Sequence, residues 1–374
     1  MTQAMTTEQE ALFQTILDGP DDDAPRLVYA DWLEELGQAE RAEFIRVQVE
    51  AAHFEDGDPQ RTKLDERAAE LLRAHREDWR LPYKVGYQFS RGFVEWISLY
   101  PDEYRQHAEE LFRFAPITRL KLKRMSTMED ARAVSQSHSL TRLRELDLSG
   151  CGLGNPGVLA PVLWGPHLTG LRKLNLRDNQ LDPHAMLVVS GFRPHQLVAL
   201  DLSANPIGDA GLERVVFRSL GFTRLTSLKL GSDNLFPYVN RIHAAGAQAI
   251  AHSSHMDSLQ ELELSDHFIG DGGLAALADS PNMSRLIHLG IARNDIGAIS
   301  DSGMEAVVRS SHLTQLRTFD FRGNQLGTLG VRALLGWEQL PRMKWVDLRT
   351  CRVSDEGYDL LRASPLAGRV LRLE

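Results

Sequence analysis

Four histidines, His243, His252, His255 and His267, fall close together in the chain, and imidazole nitrogens are the commonest protein ligands for transition metals. His252 and His255 are three residues apart, but no cysteine or carboxylate cluster joins them to complete a tetrahedral set. Asp21, Asp22 and Asp23 could ligate a hard cation, yet no partner ligands are spaced for it, and carboxylates before a helix equally serve its positive end. The glycines of GCGLGNPG, Gly150 to Gly157, superficially suggest a phosphate cradle but lack the spacing and following acid of a dinucleotide fingerprint. Phosphate-loop, serine-elbow and zinc-protease motifs are missing. These residues lead to the expectation of a chain with no metal, no cofactor and no catalytic residue.

Recognition is the other chemistry the residues offer. Phe236, Tyr238 and Arg241 lie in a stretch, FPYVNRIHAA, that lengthens one interval of an otherwise regular pattern, and aromatics with arginine are the usual anchors of interfaces. Packing of the longer loop on its neighbours is the competing explanation. Trp345 beside Arg349 is a second candidate anchor, with packing against the chain end as the alternative. Asp347, Arg322, Asp320, Arg177 and Asp201 complete the candidate contact set.

What must position these residues is a repeat. LRELDLSGCGL (143–153), LRKLNLRDNQL (171–181) and LVALDLSANPI (197–207) share the spacing L-x-x-L-x-L-x-x-N/C-x-L, and further copies start at 225, 259, 286, 316 and 343. The polar slot holds Cys151, Asn179, Asn205, Asp233, His267, Asn294, Asn324 and Cys351 in turn, where a buried side chain bonds the turn leaving each strand. Ile117 begins a degenerate first copy with Met125 in the slot. Steps of 26, 28, 26, 28, 34, 27, 30 and 27 residues leave room for a helix after each strand, and GDAGLERVVFRSL, GDGGLAALADS, SDSGMEAVVRSS, GTLGVRALLG and SDEGYDLLRAS have helical spacing.

Residues 117–374 therefore resemble leucine-rich repeats of the ribonuclease-inhibitor-like class. The resemblance implies an α/β solenoid, a horseshoe with a parallel inner sheet and outer helices. Template positions 4 and 6 then point to the core, and positions 3, 5 and 7 to the concave face. That face would offer a protein partner its binding surface. Regulation of a partner enzyme such as a small GTPase or protease is the alternative function.

Ahead of the repeats, 8–18, a segment ending at Gly37, 39–53 and 61–79 read as four amphipathic helices. The stretches DDDAPRLVYADWLEE and AEFIRVQ resemble the bacterial repeat-companion domain, a small all-α module with no assigned chemistry. The expected organisation is a helical module at 1–80, a capping strand (GFVEWISL) and helix over 81–116, and the solenoid from 117 to 374.

Charge supports that division. Residues 1–80 hold 20 acids and 9 bases (net −11), so from the totals of 51 and 42 the remainder holds 31 and 33 (net +2). Such a balance argues against nucleic-acid binding, which needs a basic face. With no signal sequence at the start and no long apolar run, the expected protein is a cytoplasmic monomer without membrane attachment. Cys151 and Cys351 are seven repeats apart, roughly 34 Å at the spacing of stacked strands, so they cannot pair.

Overall fold

A computed structural model describes residues 7–125, 127–218, 220–232, 240–294 and 299–373. The chain forms two compact units, Met1–Leu122 with Arg142–Glu145, and Lys123–Thr141 with Leu146–Glu374.

The first unit opens with α1 (Thr7–Asp18), α2 (Ala24–Glu35), α3 (Ala39–Ala51), α4 (Pro59–Ala74) and α5 (Arg76–Trp79). Asp22 Oδ1 accepts from the Ala24 N–H at the start of α2, and Gly37, with φ of +76°, follows its end in the left-handed region. One helix was expected over 61–79. The chain instead breaks at His75, whose ring stacks on Trp79 at 4.6 Å, while Trp79 reaches Phe44 at 5.0 Å.

After the helices come β1 (Gly86–Ser90), β2 (Phe93–Leu99), α6 (Pro101–Phe114) and β3 (Arg119–Leu122). The antiparallel β1–β2 pair was not anticipated. Its two-residue turn, Arg91–Gly92, has φ of +49° and +86°, the primed geometry that matches strand twist.

That turn is where the front helices take hold. Arg26 Nη1 donates to the Arg91 carbonyl at 3.2 Å, Arg41 Nη2 to the Gly92 carbonyl at 2.5 Å, and the Gly92 N–H donates to Gln48 Oε1 at 2.8 Å. A Cβ on Gly92 would lie 2.5 Å from the Ile45 side chain, so the approach requires glycine. Phe93 then packs among Phe13, Ile16, Tyr29 and Ile45 in the core of the helices. Buried Arg26 pairs with Glu95 on β2 at 2.7 Å.

The second unit contains α7 (Met128–Ser135), and β4 (Glu145–Asp147) spans the boundary in sequence. There follow α8 (Pro156–Leu163), β5 (Lys173–Asn175), α9 (Ala185–Gly191), β6 (Ala199–Asp201) and α10 (Gly208–Arg218). Next are β7 (Ser227–Lys229), α11 (Ala244–His252), β8 (Glu261–Glu263), α12 (Gly270–Ala278), β9 (His288–Gly290), α13 (Asp301–Arg309) and β10 (Thr318–Asp320). The chain ends with β11 (Gln325–Leu326), α14 (Thr328–Leu335), β12 (Trp345–Asp347), β13 (Arg352–Val353), α15 (Asp355–Ala363) and β14 (Leu371–Arg372).

The repeating strands add in sequence order, β5 to β10, then β12 and β14, with every pair between them parallel, while β11 and β13 form a small second sheet. This is the expected α/β solenoid arrangement. Each of β5 to β10 and β12 is three residues long, template positions 3 to 5, and the leucines at position 4 (Leu174, Leu200, Leu228, Leu262 and Leu289) are buried. Helix residues such as Leu212, Ile250, Leu274 and Val307 are fully buried and close the core from the other side of the sheet.

Candidate functional site

Parallel pairing without register shift stacks equivalent template positions into columns on the open face of the second unit. Position 3 gives Lys173, Ala199, Ser227, Glu261, His288, Thr318 and Trp345, and position 5 gives Asn175, Asp201, Lys229, Glu263, Gly290, Asp320 and Asp347.

The columns are cross-linked by polar contacts. Ser227 Oγ donates to Glu261 Oε2 at 2.7 Å, and Lys229 Nζ lies 3.0 Å from Glu261 Oε1. Glu263 accepts from the Ser265 N–H at 2.8 Å and faces His288 Nε2 at 3.6 Å, while His288 Nδ1 meets Thr318 Oγ1 at 2.8 Å. The Glu263 carboxylate lies over Gly290, where a Cβ would come within 1.9 Å of Oε2. Glycine at that position is what lets the carboxylate reach the next strand.

At the far end Arg322 grips Asp320 with two bonds of 2.8 and 2.5 Å, and Arg349 grips Asp347 at 2.9 and 2.7 Å. The Trp345 ring lies 5.8 Å from His288, and the Arg372 guanidinium sits 4.5 Å above it.

These acids are held ionised. Burial alone would raise the Glu261 and Glu263 carboxyls, but hydrogen bonds from Ser227 and Lys229 in one case, and from His288 and Ser265 in the other, bring both below the usual range. Asp347 is likewise lowered, burial being outweighed by Arg349. The face is a fixed array of paired charges.

Beneath it the slot residues tie successive turns together. Asn179 Oδ1 accepts from the Cys151 and Leu153 N–H groups, and its Nδ2 donates to the Leu148, Leu176 and Arg177 carbonyls, all between 2.8 and 3.2 Å. Asn205 repeats the set one turn on, toward Asn179, Leu181, Leu176, Leu202 and Ser203. Asn294 and Asn324 do the same further along, with the Asn294 N–H donating to Asn324 Oδ1.

His267 substitutes for asparagine. Its Nε2 donates to the Leu230 carbonyl at 2.8 Å and its Nδ1 accepts from the Ile242 N–H at 3.3 Å, which fixes the neutral tautomer. Burial lowers its pKa to about 4. Cys351 Sγ contacts the Phe321 carbonyl at 3.3 Å, and burial pushes its thiol up to about 12; Cys151 is also buried and free.

Several candidate contact residues sit otherwise than expected. Arg241 does not project: it is 7% exposed, its guanidinium donates to the Asp266 carbonyl, and it stacks on Phe268. An arginine aimed at a buried carbonyl is held inside the fold and cannot anchor a partner. Asp320 and Asp347 are buried beneath Arg322 and Arg349, so at that end the arginines face outward. Trp345 is half-buried, covered in part by Arg372 from the chain end. Arg177 is exposed, and Asp201 is half-buried with Oδ1 accepting from the Ser203 N–H. Asp233, Phe236 and Tyr238 lie outside the described residues.

One set of functional carboxylates escaped the sequence reading. Asp209, near the start of α10, accepts from the His243 and Gly246 N–H groups at the next helix, and Asp271 does so for Ser300 and Gly303. Asp301 accepts from Gly327. A glycine one repeat on makes room for each of these carboxylates, since a Cβ on Gly246, Gly303 or Gly330 would press within 2.4 to 2.6 Å of the neighbouring aspartate. The recurring GDAG, GDGG and SDSG strings are the signal that could have revealed it.

A family model described as Leucine Rich repeat matches residues 139–160, 195–216, 255–278 and 312–335. The chain carries leucine-rich repeats. Among similar proteins, human NACHT, LRR and PYD domains-containing protein 12 is 33% identical over 249 residues, 61% of this chain and 22% of that protein. Ribonuclease inhibitor of Sus scrofa is 32% identical over 232 residues, 58% of this chain and 48% of the inhibitor. The leucine-rich-repeat chain thus spans less than half the length of these relatives. A solved structure, the Rad7 and Elc1 complex in yeast, aligns with 99% of this chain and 87% of that one at 15% identity and a TM-score of 0.42.

Proposed function

We propose that the open strand face of the leucine-rich repeats binds a protein partner and performs no catalysis of its own. The observation that carries this reading is the in-register array of paired charges from Ser227 to Arg349, held on strands whose turns are pinned by the slot residues. A rigid, pre-paired surface loses little side-chain freedom on binding, which favours recognition. Its acids are stabilised as carboxylates, whereas a general acid near neutral pH needs its proton held.

The near-neutral balance after residue 80 favours a protein over nucleic acid as partner, and two buried free thiols suit a reducing, cytoplasmic setting. Among the described residues no helix is long and apolar enough to cross a membrane. The front helices are read as a repeat companion, and the protein as a monomer.

The test is affinity capture with crosslinking from the native host. The intact chain is compared with a face variant, Lys229→Glu, Arg322→Glu, Arg349→Glu, and with an outer-helix control, Arg214→Glu, Arg309→Glu. A partner bound through the face is retained by the control and drops about tenfold or more with the face variant, the cost of lost or reversed charge pairs. Equal capture by all three proteins would overturn the reading. Similarity to a ribonuclease inhibitor favours a second role, control of a partner enzyme; assay of a captured enzyme with and without the purified chain distinguishes control from scaffolding.

A further inference from the structure

The first unit contains a cavity of about 290 Å³ that the repeat face does not involve. Phe13, Tyr29, Trp79 and Phe93 form much of its wall, Phe114 and Leu33 add apolar surface, and Gln9, Gln38 and Arg41 are its other polar lining. Pockets that combine aromatic walls with convergent polar groups can hold small molecules that carry both an apolar body and a polar head.

Arg41 is the unusual member. Its guanidinium carbon lies 5.0 to 5.6 Å from the centres of four rings, Phe44, Trp79, Phe89 and Phe93. Ring faces attract the cation but offer its N–H groups no in-plane acceptor. Nη2 is satisfied by the Gly92 carbonyl, whereas Nη1 is shut off from water with no hydrogen-bond partner. No carboxylate among the described residues pairs with it; the facing titratable group is the Tyr29 hydroxyl, itself bonded by Gln9. Burial lowers the Arg41 pKa to about 10, the signature of a cation without its counter-ion.

We propose that this cavity binds a small monoanion, a carboxylate carried on a flat aromatic body, with Arg41 as the partner of the anion and Phe13, Tyr29 and Trp79 as its walls. Charge balance selects the class. One half-buried cation and no lining acid neutralise a single negative charge, while a phosphate dianion would leave excess charge among the rings. The guanidinium fork is shaped for a carboxylate, and the walls favour a planar body over a branched aliphatic one. A cation is excluded from the aromatic cage because Arg41 already fills it.

The experiment titrates the full-length chain with trans-cinnamate by calorimetry, alongside its neutral isostere cinnamamide. The expected result is saturable cinnamate binding, with the amide about tenfold weaker or worse because the charge-assisted bond is lost. Gln38→Glu supplies the discriminating variant. Gln38 is exposed at the start of α3, so the variant folds, and the new carboxylate competes for Arg41. Cinnamate affinity should fall about tenfold with no loss of melting temperature. Absence of saturable binding to the intact chain at millimolar cinnamate would overturn the proposal. Equal affinity for the amide, or undiminished binding by the folded Gln38→Glu chain, would overturn anion recognition by Arg41. The amide comparison requires no variant, so the proposal stays testable however Gln38→Glu behaves.

Discussion

His267 makes the stability of the repeats depend on pH. In the folded chain burial holds its pKa at about 4, against 6.5 for an unperturbed imidazole. Below about pH 4 both states carry the proton. Between 4 and 6.5 the unfolded chain binds it and the folded chain does not, so stability is lost as pH falls through that window. The full loss is about 3 kcal/mol, at 1.36 kcal/mol per unit. Replacing His267 with the slot's more frequent residue, His267→Asn, removes the titrating group. Urea midpoints at pH 7 and pH 4.5 should therefore fall further for the parent chain than for the variant; parallel falls would show that other groups carry the acid sensitivity. The neighbouring slots predict a different loss. Asn179→Ala orphans buried backbone groups in two successive turns and should cost about 1–3 kcal/mol at any pH, read from the same urea curves.

In seven of the repeats from 143 on, one left-handed residue directly precedes the slot. Gly150, Asp178, Ala204, Asp266, Arg293, Gly323 and Thr350 have φ between +53° and +67°. Glycine adopts this backbone freely, but a β-branched residue does so at a cost. Thr350 is exposed, so Thr350→Gly should raise stability by about 1 kcal/mol, and Gly150→Ala, where the new Cβ meets nothing, should lower it by a similar amount. Unchanged urea midpoints in both would show that these turns relax. Leucine spacing made the strands and slots legible in the sequence because burial of positions 1, 4 and 6 is a strictly local pattern. The left-handed position was not legible, since seven repeats fill it with five residue types. Arg241 was misread for a related reason: an arginine in an inserted segment suggests an outward anchor, and nothing nearby in sequence announces a buried carbonyl 25 residues on.

At the scale of the molecule, the first unit joins distant segments through contacts that composition does not reveal. Charge shifts near residue 80, yet Phe93 packs among Phe13, Tyr29 and Ile45, and Arg26, Arg41 and Gln48 all bond the Arg91–Gly92 turn. Arg26 and Gln48 of the companion-like stretches, with Arg41 just before the second, thus have a physical task, to clasp a hairpin whose own R-G turn carries only a weak sequence signal. Gly92→Ala tests this arrangement in the full chain. The added Cβ would strike Ile45 while the backbone sits at φ of +86°, so the hairpin must shift away from α3 and the clasp loosens. Hydrogen exchange should accelerate across α2, α3 and the β1–β2 pair, while the amides of β6 to β10, in the other unit, keep their protection. Uniform acceleration along the whole chain would mean that the units unfold as one. Unchanged exchange in α2 and α3 would mean that the turn is not what orders the front helices, and deletion of residues 1–80 should then leave the remaining chain cooperative instead of exposing Phe93.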